Sequence, residues 1–433
     1  MKIAVVGAGW AGCAAAVEAA RRGHQVTIFE ASRTAGGRAR RVDVLLGGQS
    51  QALDNGQHIL IGAYAETLKL MAQLDLDISA NLLRLPLTMQ FPDGDGLRLP
   101  RLPAPLDALV GIATARGWSW RDKLSLLKVC MQWQRCKFEC APQLSVADLC
   151  SAVSPCIMAT LIEPLCVSAL NTPPERASAQ VFLRVMRDAL FAGSGGSNLL
   201  LPRVDMSALM PDAALAWLAR RGHTVRLGAR VQSITHSGAG WSLTAEAGEF
   251  SARFDSVLLA CPATEAVRLV KDCGLPCEPW AAHARQLEHE AIATVYAVAS
   301  GVRLAQPMLA LRASIDLPAQ FVFDRGQLGG PAGLLAFVVS ASQRDGATLS
   351  RQVKKQALLQ LGLPDLQVLQ TIVDKRATFA CSPGLQRPGM QIAHGLLACG
   401  DYVDGPYPAT LEGAVRSGLQ AARQLTLSCD APK

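Results

Sequence analysis

Lys2-Ile3-Ala4-Val5-Val6, followed at once by Gly7-Ala8-Gly9-Trp10-Ala11-Gly12, is the stretch on which the fold turns. The first five residues predict a short buried strand, because an unbroken apolar run leads straight into a glycine turn. The next six are a G-x-G-x-x-G. Alanine-rich residues 13–22 predict a helix closed by Gly23, and 25–29 predict a second strand ending on Glu30. Together these form the βαβ unit that binds dinucleotides, and each glycine has a physical task in it. Gly7 makes the turn, Gly9 lets the backbone approach a pyrophosphate, and Gly12 lets helix and strand pack closely. The helix N-terminus faces the phosphates with its partial positive charge. Glu30, eighteen residues beyond Gly12, can accept a hydrogen bond from a ribose 2′-hydroxyl.

Six residues past Glu30 stands Gly36-Gly37-Arg38. Here the chain resembles the FAD-dependent oxidoreductases of the amine oxidase and phytoene desaturase superfamily, which carry Gly-Gly-Arg just after the second strand. The resemblance implies FAD rather than NAD, with the Gly37 backbone and the Arg38 side chain approaching the pyrophosphate. A solvated basic turn over 38–41 is the plain alternative.

The far end of the chain fits the same superfamily. Residues 395–399 predict an apolar strand ending in Gly400-Asp401, Pro406-Tyr407-Pro408 interrupt, and 409–425 predict a helix with small residues at 413, 414, 417 and 418. The resemblance implies that Gly400-Asp401 meets the ribityl or phosphate oxygens. It also places Thr410 and Leu411 beside the flavin N1–C2=O edge, where a helix dipole stabilises negative charge. Between the two ends, 211–221 predict a helix, and 224–227, 231–234, 241–245 and 255–260 predict strands. By resemblance, the Val231 backbone contacts the adenine.

The expected class is therefore α/β. A Rossmann-like FAD-binding domain is assembled from 1–75, 200–265 and 385–433. An inserted α+β substrate domain, mixed sheet plus helices, takes 76–199 and 266–384. Residues 76–200 read mostly helical. Strand-like runs at 293–299, 321–323, 334–340 and 368–373 predict a sheet that floors a pocket.

Composition narrows the function classes. Half of the 433 residues are hydrophobic and 18% are charged, which excludes a disordered or fibrous chain. No window reaches the roughly 18 uninterrupted apolar residues of a membrane-spanning helix. No signal-peptide pattern precedes Gly7, so a cytoplasmic location is expected, with peripheral contact on the inner face of the membrane as an addition. The net charge of +7 is mild, carries no basic tail and does not suggest a nucleic-acid partner. Thirteen scattered cysteines show no zinc spacing and read as buried thiols, so no metal is expected. No hydrolytic triad or kinase loop appears, and the cofactor should carry the chemistry.

Residues 115–138 hold three of the seven tryptophans. Trp120, Leu124, Leu127 and Met131 recur at helical spacing, with Arg121, Lys128 and Arg135 in a parallel row. Two readings are open. The helix lies on an anionic membrane, or its apolar stripe packs on the core and its basic face is solvated.

Four further stretches carry a closer resemblance. They are Asp54-Asn55-Gly56-Gln57-His58, the run 171–179 from Asn171-Thr172-Pro173-Pro174 to Ala179, Leu199-Leu200-Leu201-Pro202-Arg203, and Ala377-Thr378-Phe379-Ala380-Cys381-Ser382-Pro383. Together they look like the bacterial hydroxysqualene dehydroxylases of squalene and hopanoid biosynthesis, also labelled squalene-associated FAD-dependent desaturases. The resemblance implies a reduction: a C30 isoprenoid loses an allylic hydroxyl, and hydride from reduced FAD quenches the resulting cation to give squalene. It implies a long apolar tunnel, and it puts Gln57 on the cofactor. It also requires a proton donor for the departing hydroxyl. His58 is the first candidate, because it sits in a motif near the flavin and histidine protonates near neutral pH. Tyr407 is the second, with packing against flavin or substrate as its other role. Asp54 and Glu412 serve either the cofactor or the fold.

Other readings share the cofactor. A phytoene-type desaturase runs the chemistry oxidatively. An amine oxidase needs an aromatic cage that four tyrosines make hard to build. A non-catalytic flavoprotein scaffold at the membrane surface would use the Trp-bearing helix. No second G-x-G-x-x-G appears, so electrons come from a visiting nicotinamide or a partner, and other squalene-synthesis enzymes are expected associates.

Overall fold

The computed structural model describes residues 1–427 apart from 47, 191–192, 194, 239, 246–247 and 250–251. The last six positions of the expected 385–433 segment lie outside the described residues.

Strand Lys2–Val6 runs parallel to Gln25–Glu30 on one side and to Ser256–Leu259 on the other. The sheet extends outward to Thr224–Leu227 beyond Gln25–Glu30, and to Leu396–Ala398 beyond Ser256–Leu259. Antiparallel Gln391–Ala393 closes that edge, giving six strands drawn from widely separated parts of the chain. The central strands Lys2–Val6, Ser256–Leu259 and Leu396–Ala398 are apolar and buried nearly throughout, as parallel strands covered on both faces must be, while edge strand Thr224–Leu227 is partly exposed. The first helix, Trp10–Arg21, starts three residues earlier than its alanine run suggests, so Gly12 lies inside it. A Cβ on Gly12 would sit 1.9 Å from the Gly7 carbonyl oxygen, and Gly7 itself adopts φ +112°. Both positions therefore demand glycine, one for contact and one for conformation. The last helix, Leu411–Leu427, packs along Trp10–Arg21.

A second, wholly antiparallel sheet orders Met308–Ala310, Phe321–Asp324, Leu334–Ser340, His289–Val298 and Gln367–Phe379. Its side chains alternate faces, as the strand period requires. Val295, Leu335, Phe337 and Val339 pack on Leu349, Val353 and Ala357 of helix Gly346–Leu361. Phe321, Phe323, Val338 and Ser340 turn the other way, toward a cavity.

Residues 76–199 are less helical than their composition suggests. After the short helix Ile78–Asn81, strands Leu82–Leu85, Thr88–Gln90 and Gly96–Arg98 precede the longer helices, and hairpin Arg41–Leu46/Gln49–Asp54 lies before the whole segment. Leu82–Leu85 needs a long-range partner, Leu199–Pro202, which also pairs with Leu60–Ile61. The stripe Trp120, Leu124 and Met131 does not face the core. Lys123, Leu126, Val129 and Trp133 do so instead, and Leu127 is half-buried. The core-packing reading of that stripe is thus corrected. No helix among the described residues is long and apolar enough to cross a membrane.

Candidate active site

A cavity of about 560 Å³ runs between the two sheets. Gly7, Gly9, Glu30, Gly37, Arg38, Gln57, His58, Val231, Gly400, Asp401, Thr410 and Leu411 all line it. Gly12 does not. It packs beneath, against Gly7. One end is polar and built by the glycine loop. The other is walled by Ile59, Ala169, Ile292, Phe321, Phe323 and Val338.

At the polar end, the Glu30 carboxylate accepts from the Ala8 N–H at 2.7 Å and from the Ser32 N–H at 2.8 Å. These bonds fix the carboxylate against the glycine loop and leave lone pairs for further donors, since each oxygen has two. Thr410 caps the last helix: its hydroxyl accepts from the Gly413 N–H at 3.0 Å and donates to the Tyr407 carbonyl at 2.9 Å. That puts the electropositive helix start on the cavity wall. Val231 also lines the wall, and its carbonyl already accepts from the Arg268 guanidinium at 2.9 Å.

Arg38 and Asp401 meet each other. The guanidinium pairs with the Asp401 carboxylate and also donates to the Ala377 carbonyl at 2.9 Å. Sequence reading gave the two residues separate duties on the cofactor. Across 363 residues of separation nothing in the sequence signals the pair. Both lie on the cavity wall, so the pair forms a charged seam between the glycine-loop end and the flavin-helix end.

His58 lies where the polar and apolar walls meet. Its Nδ1 is buried without a hydrogen-bond partner. Burial pushes its imidazole down to about 4, against the opposing pull of the Gly56 backbone and the Asp374 charge. The expectation that it protonates near neutral pH is corrected: in this setting it is a neutral imidazole. Tyr407 does not line the cavity. Its hydroxyl donates to Asp188 at 2.7 Å, and Arg184 and Arg416 cover its ring. Burial, then the Asp188 bond, raises its pKa. The second proton-donor candidate is therefore held away from the reacting region.

The two reserve carboxylates serve the fold. Glu412 accepts from the Glu66 and Thr67 N–H groups, the Thr67 hydroxyl and Arg416, so it caps helix Ala65–Gln73. Stripping partners from such a buried charge costs about 3–5 kcal/mol, which marks a structural group. Asp54 accepts from the Met206 N–H at 2.7 Å, and burial lifts its carboxyl to about 7. Cys399, beside the Gly-Asp motif, is fully buried with its thiol pushed up by desolvation, and it does not line the cavity. No group of metal-binding side chains occurs among the described residues.

The four family-like stretches converge. Asn171 ends helix Glu163–Leu170 at φ +48°, donates to the Thr378 hydroxyl at 2.9 Å and accepts from the Ala341 N–H at 2.9 Å. Ser178 donates to the Cys381 carbonyl at 2.7 Å. Leu199–Pro202 pairs with Leu60–Ile61, directly after Asp54–His58. Phe321 and Phe323, in a run whose sequence predicts a sheet flooring a pocket, line the cavity, whereas Asp374 on the same wall carries no local signal in the sequence.

The sequence matches the flavin containing amine oxidoreductases over residues 10–426. The chain belongs to that family. Accordingly it is an FAD-dependent oxidoreductase, and the glycine cradle, the Glu30 carboxylate and the capped helix at Thr410 fit FAD. The chain is similar to the hydroxysqualene dehydroxylase of Rhodopseudomonas palustris, at 29% identity over 96% of both chains. That of Sinorhizobium fredii follows at 25% over 96% of both. Among solved structures, cyclohexylamine oxidase from Brevibacterium oxydans shares the fold, with a TM-score of 0.71 over 99% of both chains at 16% identity.

Proposed function

We propose that this oxidoreductase removes the allylic hydroxyl of hydroxysqualene and delivers hydride in its place, giving squalene. The observation that carries the reading is the cavity, whose cofactor-binding polar end continues into an apolar channel with His58 at the junction. End-to-end similarity to two dehydroxylases supports the substrate. On this reading, 1–75, 200–265 and 385–433 hold the cofactor, while 76–199 and 266–384 hold the lipid.

Reduced FAD, when bound, supplies the hydride. Gly9, Gly37 and the Glu30 carboxylate would hold its dinucleotide part, and Thr410 and Leu411 would offer the helix start to its ring. Arg38 and Asp401 flank the join between the two. The apolar walls exclude water, so a cation formed on the lipid meets no competing nucleophile. Phe321 and Phe323 present rings on that wall and would steady the cation by their π faces. The hydroxyl leaves as water, so each turnover consumes one proton from solution, which His58 takes up and passes to the departing oxygen. Asp374 lies close enough to pull on the His58 charge and stabilises the imidazolium formed while that proton is relayed.

The test is anaerobic. The flavin is reduced chemically, hydroxysqualene is added, flavin absorbance is followed, and the lipid is analysed by mass spectrometry. Reoxidation with squalene formed is the expected result. No reoxidation, from protein clearly holding FAD, overturns the reading in favour of an oxidative desaturase.

A further inference from the structure

We infer that helices Leu106–Thr114 and Trp120–Arg135 form one docking surface for an anionic lipid bilayer. The surface stands on its own observations, and only its use in admitting a lipid substrate rests on the reading above. Trp120, Leu124 and Met131 are 70%, 62% and 51% exposed, although the same helix already buries Leu126, Val129 and Trp133 against the protein. The helix thus has two apolar faces, and one has no partner among the described residues. Leu106, Leu109 and Val110 of the neighbouring helix add exposures of 52%, 48% and 38%. Lys123 binds the two helices into a unit: its ammonium donates to the Ala113 carbonyl at 2.7 Å and lies 5.0 Å from the Trp120 ring centroid.

Charge selects the occupant. Between residues 101 and 137 the chain carries seven Lys or Arg against two Asp, five of its net seven positive charges. Arg121, Lys128 and Arg135 are exposed beside the apolar stripe. A second copy of the chain would oppose this field with its own, whereas anionic headgroups neutralise it while the acyl region takes Trp120 and the leucines. The surface is also braced against the cavity. The Trp118 indole donates to the Thr160 hydroxyl at 2.9 Å. Helix Trp120–Arg135 packs on Pro155–Ile157, which continues through Met158–Ile162 into Glu163–Leu170. Ser168 and Ala169 of that run line the cavity.

Flotation of the FAD-loaded protein tests this, with vesicles of phosphatidylcholine alone or with about 30 mol% phosphatidylglycerol. Expected is partition at least ~10-fold stronger onto the anionic vesicles, weakened by salt. A Trp120→Ser/Leu124→Ser variant and a Leu106→Ser/Leu109→Ser variant should each lose about tenfold in partition while keeping flavin content and melting temperature. Wild-type protein that stays off anionic vesicles overturns the inference, as does equal partition of both variants. A concentration-dependent dimer dispersed by the same variants also overturns it, in favour of a second copy. No substrate is present, so vesicle binding without conversion of hydroxysqualene removes the proposed reaction and leaves the surface intact.

Discussion

The two ends of the cavity are built by different means. At the dinucleotide end the wall is backbone: Gly7, Gly9, Gly36 and Gly37, with a helix start on each side. At the apolar end the wall is side chains, with Phe321, Phe323, Val338, Ile59 and a histidine that burial keeps in its neutral form. An anion is recognised by geometry that a Cβ would fill. An apolar chain is recognised by burial, and the same burial resets the titration of whatever polar group is left inside.

That contrast predicts which property fails at each end. Gly12→Val should have the largest effect, because the added Cβ falls 1.9 Å from the Gly7 oxygen. Purified variant should hold almost no flavin by absorbance and lose about 3 kcal/mol in denaturant unfolding. His58→Ala should keep its flavin and lose about 10²-fold in single-turnover rate with reduced flavin. Flavin lost along with turnover in that variant would erase the division between the two ends. Asp401→Asn tests the seam where they meet. It leaves Arg38 with a weaker partner, and FAD dissociation measured by fluorescence should tighten or loosen by no more than about tenfold.

The pH response sharpens the comparison further. His58 has a folded value near 4 and an ordinary one of 6.5, so the unfolded chain binds more protons between them. Its contribution is full above 6.5 and is lost as pH falls toward 4. Asp54 has a folded value near 7 and an ordinary one of 3.8, so its contribution is lost as pH rises through that window. Melting temperatures at pH 4.5 and 6.5 should therefore diverge in opposite senses. His58→Gln should leave stability falling with pH, and Asp54→Asn should leave it rising. Smallest of all, Phe323→Leu keeps an apolar wall and should raise the apparent KM for the lipid only about two- to threefold in steady-state assays.

What could be read from sequence follows the same line. Residues 2–30 are legible because a glycine's task is local: Gly7 needs a backbone angle and Gly12 a neighbour five residues away. The Arg38–Asp401 pair is invisible, since either residue alone suits a phosphate or a ribose. His58 is visible as a residue but not as a buried one, and its protonation depends on the burial. Tyr407 looked close to the flavin helix in sequence, yet Asp188 and two arginines claim it. Hairpin Arg41–Leu46/Gln49–Asp54 carries a local alternation at Val42 and Val44, whereas strand Leu82–Leu85 exists only through Leu199–Pro202.

The packing of helix Trp10–Arg21 on helix Leu411–Leu427 has a consequence in time. A ribosome releases the first of these 406 residues (427 − 21) before it completes the second, an interval of roughly 20–80 s at ordinary elongation rates. Throughout that interval the alanine face of the first helix lacks the cover it has in the finished protein. Asp401 and Thr410 do not yet exist to close the cavity. The cavity is thus closed only once helix Leu411–Leu427 has emerged, and the apolar surface it covers stays open to solvent until then.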